Sequence, residues 1–148
     1  MGERVLAFEV GGGLFALPIE EVLEVSDLGD RAFVPTLPAE LASVTTHRGD
    51  ALPVVDARIV LGLGAAPLAE PSQLLVLGRA ADEPGTLGLP VERVLGLAAA
   101  PRAPRGAAGP VRARATLDGR MLRVLDADAL VAIAREAVAR ASRREAGA

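Results

Sequence analysis

The chain has 148 residues, a formal charge of −3 and 51% apolar content, so it is neither a disordered polyelectrolyte nor too short to enclose a core. It contains no cysteine, and all 16 basic residues are arginine. Disulfides, thiolate nucleophiles, cysteine metal sites, a P-loop lysine and Schiff-base chemistry are thereby excluded. No run approaches the ~18 apolar residues of a membrane span, and the N-terminus passes straight into strand-like sequence without a signal-peptide pattern, so a cytoplasmic domain is expected.

The charge is unevenly spread. Residues 1–40 hold two arginines against eight acids, residues 41–101 four against six, and residues 102–148 ten against five. The basic last third reads first as ordinary solvated arginines. As a binding face it suits an acidic protein surface better than nucleic acid, because the net charge is negative, lysine is absent and only Phe8, Phe15 and Phe33 could stack on bases.

In chain order, Leu6, Phe8 and Val10 alternate with Ala7 and Glu9. Gly11-Gly12-Gly13 then turns the chain into a second apolar run, Leu14 to Leu17, which predicts a β-hairpin. Pro18 suits a first helical turn, so Ile19 to Val25 reads as a short helical turn passing into a strand. Pro35 and Pro38 bracket a loop, with one more helical turn from Pro38 to Ala42. Leu74 to Leu77 reads as a buried strand, Asp82-Glu83-Pro84-Gly85 as a turn, and Thr86 to Leu97 as two bent strands. Ala98 to Pro110 is almost wholly Ala, Pro, Gly and Arg and reads as a mobile loop.

Val111, Ala113, Ala115 and Leu117 alternate with Arg112, Arg114 and Thr116, which predicts one face in and one face in water. Asp118-Gly119 is a two-residue hairpin signal leading into Arg120 to Leu125. From about residue 128 to 143 the apolar period becomes helical, with Asp126 or Asp128 as the cap and a Leu130/Ile133/Val138 stripe to dock it. Many short strands with closely spaced turns indicate a mainly β fold of small barrels rather than a parallel sheet.

Candidate chemistry is sparse. Gly11-Gly12-Gly13 joins two strands instead of opening a helix, so it is a turn and no phosphate loop. Gly62-x-Gly64 lacks a third phosphate-reading glycine. His47 is the sole histidine, and none of Ser26, Ser43, Ser72 or Ser142 sits in a nucleophile-elbow pattern. Its spacing to Asp50 and Asp56 follows no metal-ligand pattern. His47 therefore reads as a solvated or partner-facing loop residue. No enzyme and no cofactor emerge, which leaves binding.

The stretch Thr46-His47-Arg48-Gly49-Asp50-Ala51-Leu52-Pro53-Val54-Val55-Asp56-Ala57-Arg58 carries an Arg-Gly turn, an apolar strand and a closing Asp-x-Arg. It resembles the central signature of the CheW-like domain, the adaptor that joins chemoreceptors to their histidine kinase. Four further pieces follow the family's order: Leu17 to Val25, Pro35 to Pro38, Gly88 to Val94 and Asp118 to Asp126. The resemblance extends from about Val5 to Val131.

It implies two five-stranded, SH3-like barrels packed on a shared core and closed by the C-terminal helix. The chain is then a single domain of residues 1–148, with a subdomain switch near 68–73. It also implies an adaptor with no catalytic, metal or cofactor site. The expected partners are the cytoplasmic tip of a chemoreceptor, a CheA-type histidine kinase and other CheW-like proteins, in cytoplasmic signalling clusters controlling motility. No contact with nucleic acid and no membrane insertion are implied. By residue match the partner-binding set is Thr46, His47, Arg48, Gly49, Asp56 and Arg58. Arg48 is the contact arginine, Gly49 the turn that presents it, and Asp56 orients strand and loop.

The departures are specific. Where the family usually has glycine, asparagine and an aliphatic residue ahead of Arg-Gly, this chain has Ser43, Thr46 and His47. The usual Asp-Leu-Arg is Asp56-Ala57-Arg58, and the aspartate of the second barrel is Glu92. Losing apolar anchors weakens an interface. Two adaptors fit the residues: a full coupler, and a receptor binder whose hold on the kinase is weakened or lost. A different reading is an accessory barrel meeting an acidic partner through Arg112, Arg114 and the basic tail.

Overall fold

The computed structural model describes residues 2–33, 37, 42–63, 71–78, 85–101 and 109–146. Eleven strands and two helices follow one another among these residues. The strands are β1 (Gly2–Val10), β2 (Gly13–Pro18), β3 (Val22–Asp27), β4 (Ala32–Phe33), β5 (Ala42–His47), β6 (Asp50–Val55), β7 (Gln73–Leu77), β8 (Leu87–Val91), β9 (Arg93–Pro101), β10 (Val111–Leu117) and β11 (Arg120–Leu125). Helix α1 (Ala57–Leu61) follows β6, and α2 (Ala127–Ala146) closes the chain.

The strands form two sheets. One has the order β10-β11-β2-β1-β9, and the other β3-β7-β8-β6-β5-β4. Each curls on itself. In the first, the edge strands β9 and β10 pack together. In the second, Thr45 donates its hydroxyl to the Asp30 carbonyl, so β5 reaches the segment that follows β3. The chain passes from the first sheet to the second between Pro18 and Val22, through a 3-10 turn at Ile19–Glu21, and back between Val91 and Arg93. The fold is mainly β, two small barrels with a C-terminal helix, as the sequence predicts.

Three apolar cores result from strict strand alternation. In β2, Leu14 and Ala16 face the interior of the first barrel, with Val5, Ala7, Leu122 and Val124. In β7, Leu74 and Val76 fill the second barrel, with Leu52 and Val54. The alternate residues, Phe15 and Leu17 from β2 and Leu75 and Leu77 from β7, meet in a central layer between the sheets. Phe8, Leu87, Leu89, Leu125 and Leu130 join them there. Strands buried on both faces have no reason to alternate with polar residues, which is why Leu14 to Leu17 and Leu74 to Leu77 read as unbroken apolar runs. Fully burying each such side chain contributes about 1.5–3 kcal/mol.

The two sheets are built from one repeated unit. Ala16-Leu17-Pro18-Ile19-Glu20-Glu21-Val22-Leu23 is echoed by Gly88-Leu89-Pro90-Val91-Glu92-Arg93-Val94-Leu95. Thr46-x-Arg48-Gly49-x-x-Leu52-x-Val54-Val55-Asp56-Ala57 is echoed by Thr116-x-Asp118-Gly119-x-x-Leu122-x-Val124-Leu125-Asp126-Ala127. The strand orders agree with this pairing: β5-β6-β8-β7-β3 in one sheet corresponds to β10-β11-β2-β1-β9 in the other. In both, the hairpin's second strand pairs in parallel with a strand from the other half of the chain, Val54 with Gly88 and Val124 with Ala16.

Two sequence expectations are corrected here. Ala98 to Pro101 is not loop but the end of β9, paired with β1 through Val5 opposite Ala98 and Gly2 opposite Pro101; residues 102–108 lie outside the described set. Arg112 does not face water. A register shift between Val111 and Ala113 turns it inward, where its side chain is 4% exposed and pairs with Glu3, with Glu21 3.9 Å away. Of the expected loop Pro35–Pro38, helical turn Pro38–Ala42 and turn Asp82–Gly85, only Leu37, Ala42 and Gly85 are among the described residues, and Ala42 opens the strand β5.

Candidate functional site

Strand β5 pairs with β6 from Ala42 opposite Val55 to His47 opposite Asp50, leaving only Arg48 and Gly49 in the turn. Both have positive φ, 52° and 83°. This is the two-residue turn whose twist matches that of antiparallel strands, and it favours Asn, Asp or Gly at its first central position. Gly49 meets that demand without cost, whereas arginine is held there at about 1–2 kcal/mol. The backbone thus lifts an exposed Arg48 to the tip of the hairpin, with Asp50 and Ala51 exposed beside it.

Alternation then sorts the flanking residues. Ser43 and His47 point into the barrel, while Thr46 lies exposed opposite Ala51, and Val44 opposite Pro53, on the outer face. His47 is 6% exposed and is no loop residue, which corrects the sequence reading: it is the last residue of β5, and the period of two turns the imidazole inward. Its Nε2 lies 3.6 Å from Glu24 Oε2 on β3. A Cβ on Gly85 would lie 3.5 Å from Nδ1, so Gly85 sits beside that nitrogen. Neither ring nitrogen has a hydrogen-bond partner among the described residues.

Asp56 and Arg58 stand at the other end of β6, roughly 20 Å from the tip for a strand of six residues. Asp56 caps α1: its Oδ1 accepts from the Arg58 backbone N–H at 2.8 Å and from Arg58 Nε at 3.2 Å, and its Oδ2 accepts from Nη2 at 2.8 Å. The hydrogen bond to Asp56, and its charge, hold the Arg58 guanidinium above its ordinary pKa. Gly62, at φ 70°, ends the helix, and the Leu63 N–H returns to the Arg58 carbonyl at 2.8 Å. Asp126 caps α2 in the same way, accepting from the Asp128 N–H at 3.0 Å.

The structure therefore brings Thr46, Arg48 and Gly49 together at one tip, buries His47 beneath it, and sets Asp56 and Arg58 apart as a helix cap. Sequence reasoning missed α1 itself. Its signal was present in an Asp at the cap, an Arg two residues on and Gly62 at the end. It also missed the Glu3–Arg112–Glu21 cluster, which no local pattern reveals because its members come from three separate segments.

A cavity of about 320 Å³ lies between α2 and the ends of β7 and β8, lined by Leu77, Gly78, Thr86, Val131 and Arg135 among others; no residue of the Arg48 tip lines it. Among the described residues there is no grouping of three potential metal ligands, and no helix is long and apolar enough to cross a membrane.

Comparison with known proteins agrees with this architecture. The CheW-like domain matches residues 4–135. Protein FrzA of Myxococcus xanthus is 35% identical over 74 residues, 50% of this chain and 46% of that protein, so the match spans about half the relative's length. The crystal structure of the scaffolding protein TtCheW from Thermoanaerobacter tengcongensis superimposes with a TM-score of 0.67 at 20% identity, covering 85% of this chain and 90% of that one, and shares its fold. With the family's domain spanning both barrels and the start of the closing helix, the chain belongs to the CheW-like domain family of adaptor and scaffold proteins.

Proposed function

We propose that this chain is a non-enzymatic adaptor of a bacterial chemosensory array, binding the cytoplasmic tip of a chemoreceptor through the β5–β6 hairpin. The observation that carries the reading is Arg48, an exposed arginine kept at a positive-φ turn position that the fold alone would fill with Asn, Asp or Gly. Gly49 makes the turn, Thr46 extends the outer face, and His47 supports the tip from beneath. Asp56 and Arg58 act at a distance, by fixing the end of β6 and the start of α1.

Coupling to a CheA-type kinase belongs to the same reading in a weakened form. Ala57 is buried in the central core, so the small side chain that replaces the family's leucine removes bulk from the packing between β6 and α1. Other CheW-like proteins are further partners, and the setting is a cytoplasmic cluster. Titration of the chain against the soluble receptor tip, with and without the kinase, tests this. Receptor binding abolished by Arg48→Glu is the expected result; wild-type protein that binds neither partner would refute it. Stimulated kinase autophosphorylation would establish full coupling.

A further inference from the structure

The repeated unit gives each barrel the same outer hairpin face, and the two faces differ in charge. On the β5–β6 hairpin it consists of Val44 opposite Pro53 and Thr46 opposite Ala51. On β10–β11 the same four positions are Arg114 opposite Arg123 and Thr116 opposite Met121. Two uncharged positions have become arginines, and a third has become a methionine that is 50% exposed.

The two arginines face each other directly across the strand pair, an arrangement of like charges that disfavours the sheet. Arg123 lies with its guanidinium carbon over the Phe15 ring, 5.7 Å from its centre, a cation–π contact. Neither arginine pairs with a carboxylate among the described residues. Two acids of the same sheet are engaged elsewhere: Glu3 with Arg112, and Glu9 with Arg93 and Arg120. The face thus carries two neighbouring cations that pair with no carboxylate among the described residues, beside an exposed, adaptable thioether.

We propose that this β10–β11 face is a second docking surface, whose occupant is an acidic protein segment bearing two carboxylates beside an apolar side chain. The carboxylates match the forks of Arg114 and Arg123, and the apolar group rests on Met121. Protein is the favoured partner over nucleic acid because the only aromatic ring on this face, Phe15, is buried and covered by Arg123, leaving no base-stacking platform. The surface is separate from the Arg48 tip, so it stands or falls independently of receptor binding. The sequence gives such a role to Arg112, Arg114 and the basic tail; in the structure the Arg112 side chain is buried, and Arg123 is the arginine that faces Arg114.

The test uses the full chain labelled at its methionine methyl groups, which number two, Met1 and Met121. The probe is a synthetic helical peptide with a leucine between two glutamates one turn apart. Controls are the same peptide with glutamine at both positions and a short DNA duplex. The expected result is a Met121 methyl shift on titration with the acidic peptide, weakened by added salt and absent with the glutamine peptide. Arg114→Gln/Arg123→Gln should weaken binding at least tenfold, and Arg114→Gln alone, at an exposed position, should weaken it in part. Arg135→Gln/Arg140→Gln, with the same change in net charge, should not. A Met121 signal unmoved by the acidic peptide, equal response to the glutamine peptide, indifference to the Arg114/Arg123 substitutions, or DNA binding in place of peptide would each overturn the proposal.

Discussion

Arg48 and Asp118 hold the same position of the same two-residue turn in the two halves of the chain, at φ 52° and 50°. One is a residue that such turns favour, the other is not. The turn conformation favours Asp118 and disfavours Arg48. Replacing Arg48 with Asn should therefore stabilise the protein by about 1 kcal/mol, by relieving the left-handed strain. The same substitution should abolish receptor binding. Urea unfolding and a receptor titration on the one variant read both effects, and a variant that is less stable but still binds would contradict the assignment.

The Asp56 carboxylate serves as helix cap and as partner to Arg58. Asp56→Ala should cost about 0.5–2 kcal/mol of stability, as helix caps do, with Asp56→Asn recovering most of the loss. Arg58→Ala should cost less, since the half-buried ion pair is the smaller part of the arrangement. Thermal unfolding of the three variants would show the order. An equal loss for Asp56→Asn and Asp56→Ala would show that charge, not capping, matters there.

The Arg112 side chain is buried beside Glu3 and Glu21. Removing it leaves two carboxylates inside the protein, so Arg112→Ala should destabilise by about 3–5 kcal/mol. Converting all three to apolar residues of similar volume should restore much of that loss. Denaturant midpoints of the single and triple variants decide between a structural ion cluster and a dispensable one.

Glu136 on α2 accepts from Arg140 at 3.1 Å and from Arg143 at 3.3 Å, and these bonds hold its carboxyl below the usual range. A depressed pKa in the folded state means that the support to the helix is fully present above the unfolded value and is lost as pH falls through the folded one. The Glu136 side-chain NMR signal should titrate below an ordinary glutamate, and Arg140→Ala/Arg143→Ala should return it to normal. A normal titration in the wild type would contradict the pairing.

Much of the fold was legible because strand alternation and turn chemistry are local. The hairpins at Gly11-Gly12, Arg48-Gly49 and Asp118-Gly119 and the strand run Leu74 to Leu77 follow from residues a few positions apart. What escaped depends on register. A single shift between Val111 and Ala113 inverted the expected side of Arg112, and the strand β5, which the sequence reading did not identify, carries His47 from loop into the barrel. The separation of Arg48 from Asp56 was legible, because the Arg-Gly turn and the Asp-x-Arg stand at opposite ends of one extended strand. The short α1 was missed because five residues carry too little periodicity to announce a helix.

Binding of a chemoreceptor by the β5–β6 tip is tested by titrating the receptor's cytoplasmic tip with wild-type protein and with Arg48→Glu, after an unfolding transition like that of the wild type has established that the variant is folded. Saturable binding by the wild type and none by the variant is the predicted result. Undiminished binding by Arg48→Glu, or no binding by the wild type, would contradict it.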